Sequence, residues 1–241
     1  MENFELFLIV CSFFTSALTA ALGVGGGALL LVIMALFYSP TILIPVHGMV
    51  QLGSNLGRSV LMHKHICWKT SIAYIFGTVV GVAIGSQIFV TLSDRALGFI
   101  LAISILFFTW YPAKEAQRKL KGTSFLVGGF AGFLTLFVGA TGLLTAAFLS
   151  RNKKFTKYNK VSTFAACMTS QHLFKVIAFS LMGFAFAPYA LFILLMVITG
   201  FAGTWVGKQH LLDRIDEVKF AKAFKVVITL LAVKLIVGLF V

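Results

Sequence analysis

The sequence predicts an all-α polytopic membrane protein. It reads as two inverted repeats, each a glycine-broken, re-entrant hairpin plus three transmembrane helices. Three observations predict this. The 241 residues are 59% hydrophobic and only 11% charged, where a soluble domain carries about 25% charge. Several apolar runs approach or exceed the ~20 residues that cross a bilayer as a helix. Landmark residues also recur in the same order in both halves, as in many transporter folds.

The first apolar run covers residues 4–38 and is interrupted by Gly23-Val24-Gly25-Gly26-Gly27. Each glycine weakens a helix by about 1 kcal/mol and tolerates backbone angles that other residues avoid. Two helical pieces are therefore expected, 4–22 and 27–38, meeting at an unwound point inside the membrane. Unwound backbone survives at that depth only where protein or a water-filled cavity covers it, and broken helices are the best sequence pointer to a transport site. The competing reading is a small-residue surface for close helix packing.

Ser39-Pro40 and Pro45 end this segment and start a span at 43–62. A basic, aromatic loop follows at 63–69. The span 70–91 carries Gly77, Gly81 and Gly85, a small-xxx-small stripe for close helix approach. A turn at 92–95 leads to the span 96–111, which ends in the interfacial rings Trp110 and Tyr111. Residues 114–121 form the one clearly hydrophilic linker. The second half runs through an apolar segment at 125–150 broken near Gly139-Ala140-Thr141-Gly142, a polar loop at 151–160, and spans at 161–182, 189–209 and 217–241. The division is thus a first membrane repeat at 1–112, a basic cytoplasmic linker at 113–122 and a second repeat at 123–241.

The repeat rests on matched residues. Gly81, Gly85 and Gln87 recur as Gly203, Gly207 and Gln209. Leu92-Ser93-Asp94-Arg95 recurs as Leu211-Leu212-Asp213-Arg214, Asn55-Leu56-Gly57-Arg58 loosely as His172-Leu173-Phe174-Lys175, and Gly23 as Gly139. Sidedness argues for inversion. If every apolar segment crossed once, the basic stretches 114–121 and 151–160 would face opposite sides, against the positive-inside rule. If each broken segment returns to the side it came from, all basic loops fall on the cytoplasmic side, and both termini with the neutral loops fall outside. Two short full spans in place of a re-entrant loop give the same sidedness.

Composition also excludes classes. The net charge of +13 sits in short loops between apolar segments, so it reads as loop bias in a membrane protein and not as nucleic-acid binding. Cys11, Cys67 and Cys167 make no disulfide framework. Glu2 and Glu5, with no early Lys or Arg, contradict the basic start of a signal peptide. The first segment is therefore expected to stay in the mature protein.

The glycine-rich broken first helix, its degenerate copy in the second half and the small all-membrane chain resemble the sulfite exporter TauE/SafE family of permeases. The most specific part is Gly23-Val24-Gly25-Gly26-Gly27. The resemblance implies movement of small sulfur-containing anions (sulfite, thiosulfate, sulfonates) or organic carboxylates across a prokaryotic inner membrane.

Candidate site residues follow from the chemistry of anion binding. Half-helix N-termini offer free N–H groups and a positive dipole end. These are expected at Gly25, Gly26 and Gly27 and at Thr141 and Gly142. Thr19, Thr141 and Thr145 are expected either to donate hydroxyls to the site or to bond their own helix carbonyls. Gln51, Ser54, Asn55 and Arg58 share one helical face, as do Gln171, His172 and Lys175. Polar groups inside a membrane normally face the bundle interior or a cavity, and the alternative role is hydrogen-bonding between helices. Lys175 stands about 15 residues into its span from Lys160, too deep to reach the basic surface. Lys234, near the C-terminus, reads as snorkelling outward. His63, His65 and Cys67 lack a fourth metal ligand nearby, so no metal and no cofactor is expected. Asp94-Arg95 and Asp213-Arg214 read as turn and cap residues. With no Asp or Glu inside any span, His172 is the remaining proton carrier.

The expected function is a secondary transporter or exporter of small anions working by alternating access, with an anion channel or a transport-free membrane scaffold as alternatives. An enzyme is disfavoured for want of paired carboxylates, a metal-ligand cluster or an activated nucleophile within the spans. The expected partners are the small anionic substrate and the lipid bilayer; a homo-oligomer is left open.

Overall fold

A computed structural model describes residues 3–22, 25–110, 123–139, 141–211 and 217–238. Among these residues the chain is helical, with no strand. The helices are α1 (Asn3–Leu22), α2 (Gly26–Met34), α3 (Pro40–Leu61), α4 (Trp68–Phe89), α5 (Asp94–Trp110), α6 (Ser124–Val138), α7 (Gly142–Ser150), α8 (Lys157–Leu181), α9 (Ala190–Val206) and α10 (Glu217–Gly238). The linker at 114–121, the pair Gly23-Val24, Ala140 and the Asp213-Arg214 turn lie outside the described residues.

Both broken segments break close to where the glycines stand. At ~1.5 Å rise per residue, the 20 residues of α1 extend about 30 Å and the 9 residues of α2 only about 13 Å. Gly25 precedes α2 at φ +110° and Gly139 ends α6 at φ +66°, the left-handed region where glycine carries no Cβ penalty. α2 folds back along α1, and Phe37 stacks on Phe4 at 5.2 Å between ring centroids. The start of this helix pair therefore lies beside the residues that follow α2. The two arms are unequal: α1 is long and apolar enough to cross a membrane by itself, as are α4, α8 and the stretch Ala187–His210.

Several boundaries differ from expectation, among them the end of α2 at Met34 and the starts of α3, α5 and α8. α3 starts at Pro40, three residues earlier than the expected 43. Pro40 occupies the first helical position, where a missing N–H is harmless. Pro45 lies inside the helix, where it forgoes the bond its N–H would have made to the Thr41 carbonyl. At α5 the cap is Ser93, whose Oγ accepts the Ala96 N–H at 3.3 Å; Asp94 falls in the first turn.

The most extensive helix contacts are α4 on α6 and α1 on α9, followed by α3 on α8, α4 on α8, α5 on α10, α1 on α2 and α3 on α9. α3 and α8 run antiparallel: Gly48 faces the Lys175 stem, whereas Ser59 Oγ lies 3.1 Å from Thr169 Oγ1. One end of the bundle gathers Phe4, Glu5, Tyr38, Phe184 and Tyr189, through the Tyr38 hydroxyl bond to Glu5 and a chain of ring contacts. The other end gathers Met62, Lys157, Tyr158 and Lys208 around one cavity, with the Asn159 amide donating to the His65 carbonyl at 3.0 Å.

The core is built on α2, whose Leu30, Leu31, Val32 and Met34 are fully buried. Large apolar side chains also stand exposed, among them Phe76 and Ile84 on α4 and Leu191, Leu194 and Ile198 on α9. Apolar residues exposed all along a helix suit lipid as the surrounding solvent.

Candidate functional site: a polar cavity between the two breaks

The two glycine breaks meet around one cavity of about 40 Å³, lined by Gly25 and Gly27 from the first break and by Gly139 and Gly142 from the second. α3 adds His47, Gln51 and Asn55, and α8 adds Phe164, Met168 and His172. One water needs roughly 10–15 Å³ on the same measure, so the space suits a group of a few heavy atoms. Gln51 and Met168 each lie eleven residues into their helices, about 16 Å along the axis, so the cavity sits near the middle of both.

The three glycines of the first break do different things. Gly25 supplies the positive φ. A Cβ on Gly26 would collide with the Thr15 carbonyl, so Gly26 lets α2 cross α1. A Cβ on Gly27 would come within 3.0 Å of Gln51 Oε1, so Gly27 keeps the cavity wall open. His47 Nε2 donates to the Gly27 carbonyl at 2.9 Å, which ties α3 to the unwound end of α2 and leaves Nδ1 buried without a partner.

The second break is held from α8. Thr141 Oγ1 donates to Gln171 Oε1 at 3.1 Å, and Gln171 Nε2 is left buried and unpartnered. The Thr145 hydroxyl meets the Tyr74 hydroxyl at 2.6 Å. Thr19 instead bonds the carbonyl of its own helix, Thr15, at 2.8 Å. Of the two roles expected for the threonines, Thr19 takes the bond to its own helix, whereas Thr141 and Thr145 bond side chains of other helices.

Beside the cavity stand three basic side chains. The His47 and His172 rings lie 6.2 Å apart, edge to face. Lys175 is 0% exposed, and its Nζ has no hydrogen-bond partner. Its stem packs on Gly48, where an added Cβ would stand 3.2 Å from Cε. His172 Nδ1 is likewise buried and unpartnered. Glu5 and Asp94 fall in the first turns of their helices, so neither of these carboxylates lies at this depth. Unpartnered buried donors around a cavity with no acidic neighbour are chemically suited to an anion.

Of the expected site residues, Gly25, Gly27, Gly142, Gln51, Asn55 and His172 line the cavity, and Thr141 and Gln171 bond one another next to it. Gly26 and Lys175 do not line it. Arg58 lines a separate cavity one turn away and reaches back to Asn55 Oδ1 at 3.4 Å. His47 was not among the expected residues, although it lies four residues before Gln51 and eight before Asn55, on the same helical face. His63, His65 and Cys67 have separate partners: His63 Nδ1 bonds the Val60 carbonyl, His65 lies against Tyr158, and Cys67 Sγ meets Thr70.

The fold and this cavity define an all-helical membrane protein with a small chamber, reached by a few polar side chains, at the middle of its helices. The family model described as sulfite exporter TauE/SafE matches residues 8–235. The chain belongs to this family, whose members are membrane transporters rather than enzymes. No curated protein and no solved structure matches it.

Proposed function

We propose that the protein carries small anions across a prokaryotic inner membrane, by alternating access around the cavity between the two breaks. The substrates are sulfur oxyanions such as sulfite and thiosulfate, sulfonates, or small carboxylates. The observation that carries this reading is the set of buried polar atoms left without partners beside the cavity: the donors Lys175 Nζ and Gln171 Nε2, with His172 Nδ1, a donor in its Nδ1–H tautomer. A desolvated lysine charge is unfavourable unless an anion or dipole compensates it. An anion in the cavity would supply that compensation, held by His172, Gln51 and Asn55. The cavity volume favours the smallest substrates.

Two repeats, 1–112 and 123–241, related by inversion remain the proposed architecture. Helix pairing supports it: if α1, α3, α4 and α5 correspond to α6, α8, α9 and α10, then α4 on α6 is the counterpart of α9 on α1, and α4 on α8 the counterpart of α9 on α3. α3 on α8 and α5 on α10 are their own counterparts. Gathering the basic described loops at one end and the N-terminus with the neutral turns at the other supports an outside placement of both termini, by the positive-inside rule.

The test is uptake into proteoliposomes of sulfite, thiosulfate, a sulfonate and a carboxylate, with and without a pH gradient. Saturable flux of at least one sulfur anion, accelerated by unlabelled substrate on the opposite side, is expected. Non-saturating flux without counter-transport would make the protein a channel, and no flux of any anion would end the reading.

A further inference from the structure

We infer a second oxyanion site, separate from the central cavity, at the basic end of the bundle between α1, α3, α8 and α9. A cavity of about 90 Å³ opens there, lined by Arg58, Thr204, Lys157, Tyr158 and Lys208. Two of its walls are polar side chains withdrawn from water with bonding capacity unused. Arg58 is 2% exposed, and its Nε has no partner; Nη1 makes only the long 3.4 Å contact to Asn55. Thr204 is 1% exposed, and its hydroxyl, unlike those of Thr15, Thr19, Thr78 and Thr199, bonds no carbonyl of its own helix.

An arginine at a membrane end normally carries its charge out to water along its stem. Arg58 does not: its guanidinium is buried. A buried guanidinium with an idle N–H beside an idle hydroxyl matches a tetrahedral or pyramidal oxyanion, which accepts several bonds at once. None of the described side chains lining this cavity is acidic. Lys157 and Lys208 add positive charge at the mouth. Lys208 is delivered by a π-helical segment, Gly207–Leu211, that continues α9, and such segments recur at functional sites. The site is placed in series with the central cavity, since Arg58 and Asn55 touch across the wall between the two. The occupant is an oxyanion, either the soluble substrate or the phosphate of a lipid headgroup.

The inference stands on this cavity alone and survives or fails independently of the central site. Full-length protein in an uncharged maltoside detergent is titrated with radiolabelled sulfate, then again with phosphatidylglycerol present. We expect a sulfate site that weakens about tenfold or more in Arg58→Gln, Thr204→Val and the surface pair Lys157→Gln with Lys208→Gln. That site should be unchanged in Lys175→Met, which alters only the central cavity. The surface pair keeps the test valid should the buried Arg58 variant fail to fold. Displacement of this sulfate by phosphatidylglycerol assigns the site to a lipid phosphate, and its retention assigns it to a soluble oxyanion. Sulfate binding indifferent to all three changes overturns the inference, as does an absence of sulfate binding combined with no retention of phosphatidylglycerol.

Discussion

The α4–α6 and α1–α9 interfaces have the same parallel geometry and are fastened differently. In α4–α6 the contact is backbone on backbone. A Cβ on Gly77 would strike the Phe125 carbonyl, one on Gly81 the Gly129 carbonyl, and one on Gly128 the Tyr74 carbonyl. In α1–α9 only part of this is kept, where Gly203 faces the Phe13 carbonyl and Gly207 that of Ala17. Elsewhere hydroxyls take over: Ser12 Oγ donates to the Met196 carbonyl at 2.8 Å, and Thr199 Oγ1 lies 3.0 Å from the Ile9 carbonyl. Close approach can thus be secured by deleting side chains or by giving a short side chain a bond across the gap. The two fail differently. A glycine contact has no room for any substitution, whereas a hydroxyl contact loses only one bond.

The largest expected effect comes from breaking the all-glycine side. Gly81→Leu puts a branched side chain into the Gly129 carbonyl, and overpacking typically removes 1–3 kcal/mol or more. We expect little or no monodisperse protein on size-exclusion chromatography. A yield equal to wild type would mean that the α4–α6 spacing is adjustable. A graded comparison follows from Gly85 and Gly207. An added Cβ on Gly85 meets Leu136 Cδ1 at 3.0 Å and the Phe133 carbonyl at 3.1 Å, whereas one on Gly207 collides with the Ala17 carbonyl. Gly207→Ala should therefore lower the melting temperature more than Gly85→Ala, by several degrees, in a thermal scan. The smallest effect belongs to Ser12→Ala. Hydroxyl bonds between membrane helices average ~0.6 kcal/mol, up to ~1.7, which is about 1–7 °C at 2–4 °C per kcal/mol. A loss as large as that of Gly207→Ala would erase the distinction between glycine contacts and hydroxyl contacts.

The site offers its own contrast, between Gly26 and Gly27. Gly26→Ala strikes backbone of α1 and should reduce folded protein. Gly27→Ala meets only the movable end of Gln51 and should fold normally while lowering anion flux several-fold. Equal losses of folded protein for the two would show that both glycines serve packing alone.

These contrasts also mark what the sequence made legible. The breaks were visible because runs of glycine are incompatible with continuous helix, and α1 and α2 end within a few residues of the expected points. The shared face of Gln51 and Asn55 was visible from helical spacing, but spacing gives direction and not depth. It could not reveal that Arg58, three residues on, faces a different cavity. His47 was missed because a lone histidine ahead of the polar cluster carries no signal until α2 places the Gly27 carbonyl beside it. Under the proposed repeat, a correspondence of the two interfaces is half visible in the sequence. Gly81 and Gly203 match by identity, but Ser12 lies where Gly128 would be expected and Thr199 where Gly77 would be. Identity cannot register a glycine contact replaced by a hydroxyl bond.

The central claim is that a buried charge beside the paired breaks waits for an anion. Lys175→Met keeps the stem that packs on Gly48 and removes the charge. Concentration-dependent sulfite flux in proteoliposomes, at matched protein level, reads the consequence directly. The account predicts a half-saturation concentration raised roughly five- to 150-fold, the equivalent of about 1–3 kcal/mol for one charged contact, with the variant still folded. A wild-type half-saturation in Lys175→Met would contradict it and leave the lysine as a structural residue.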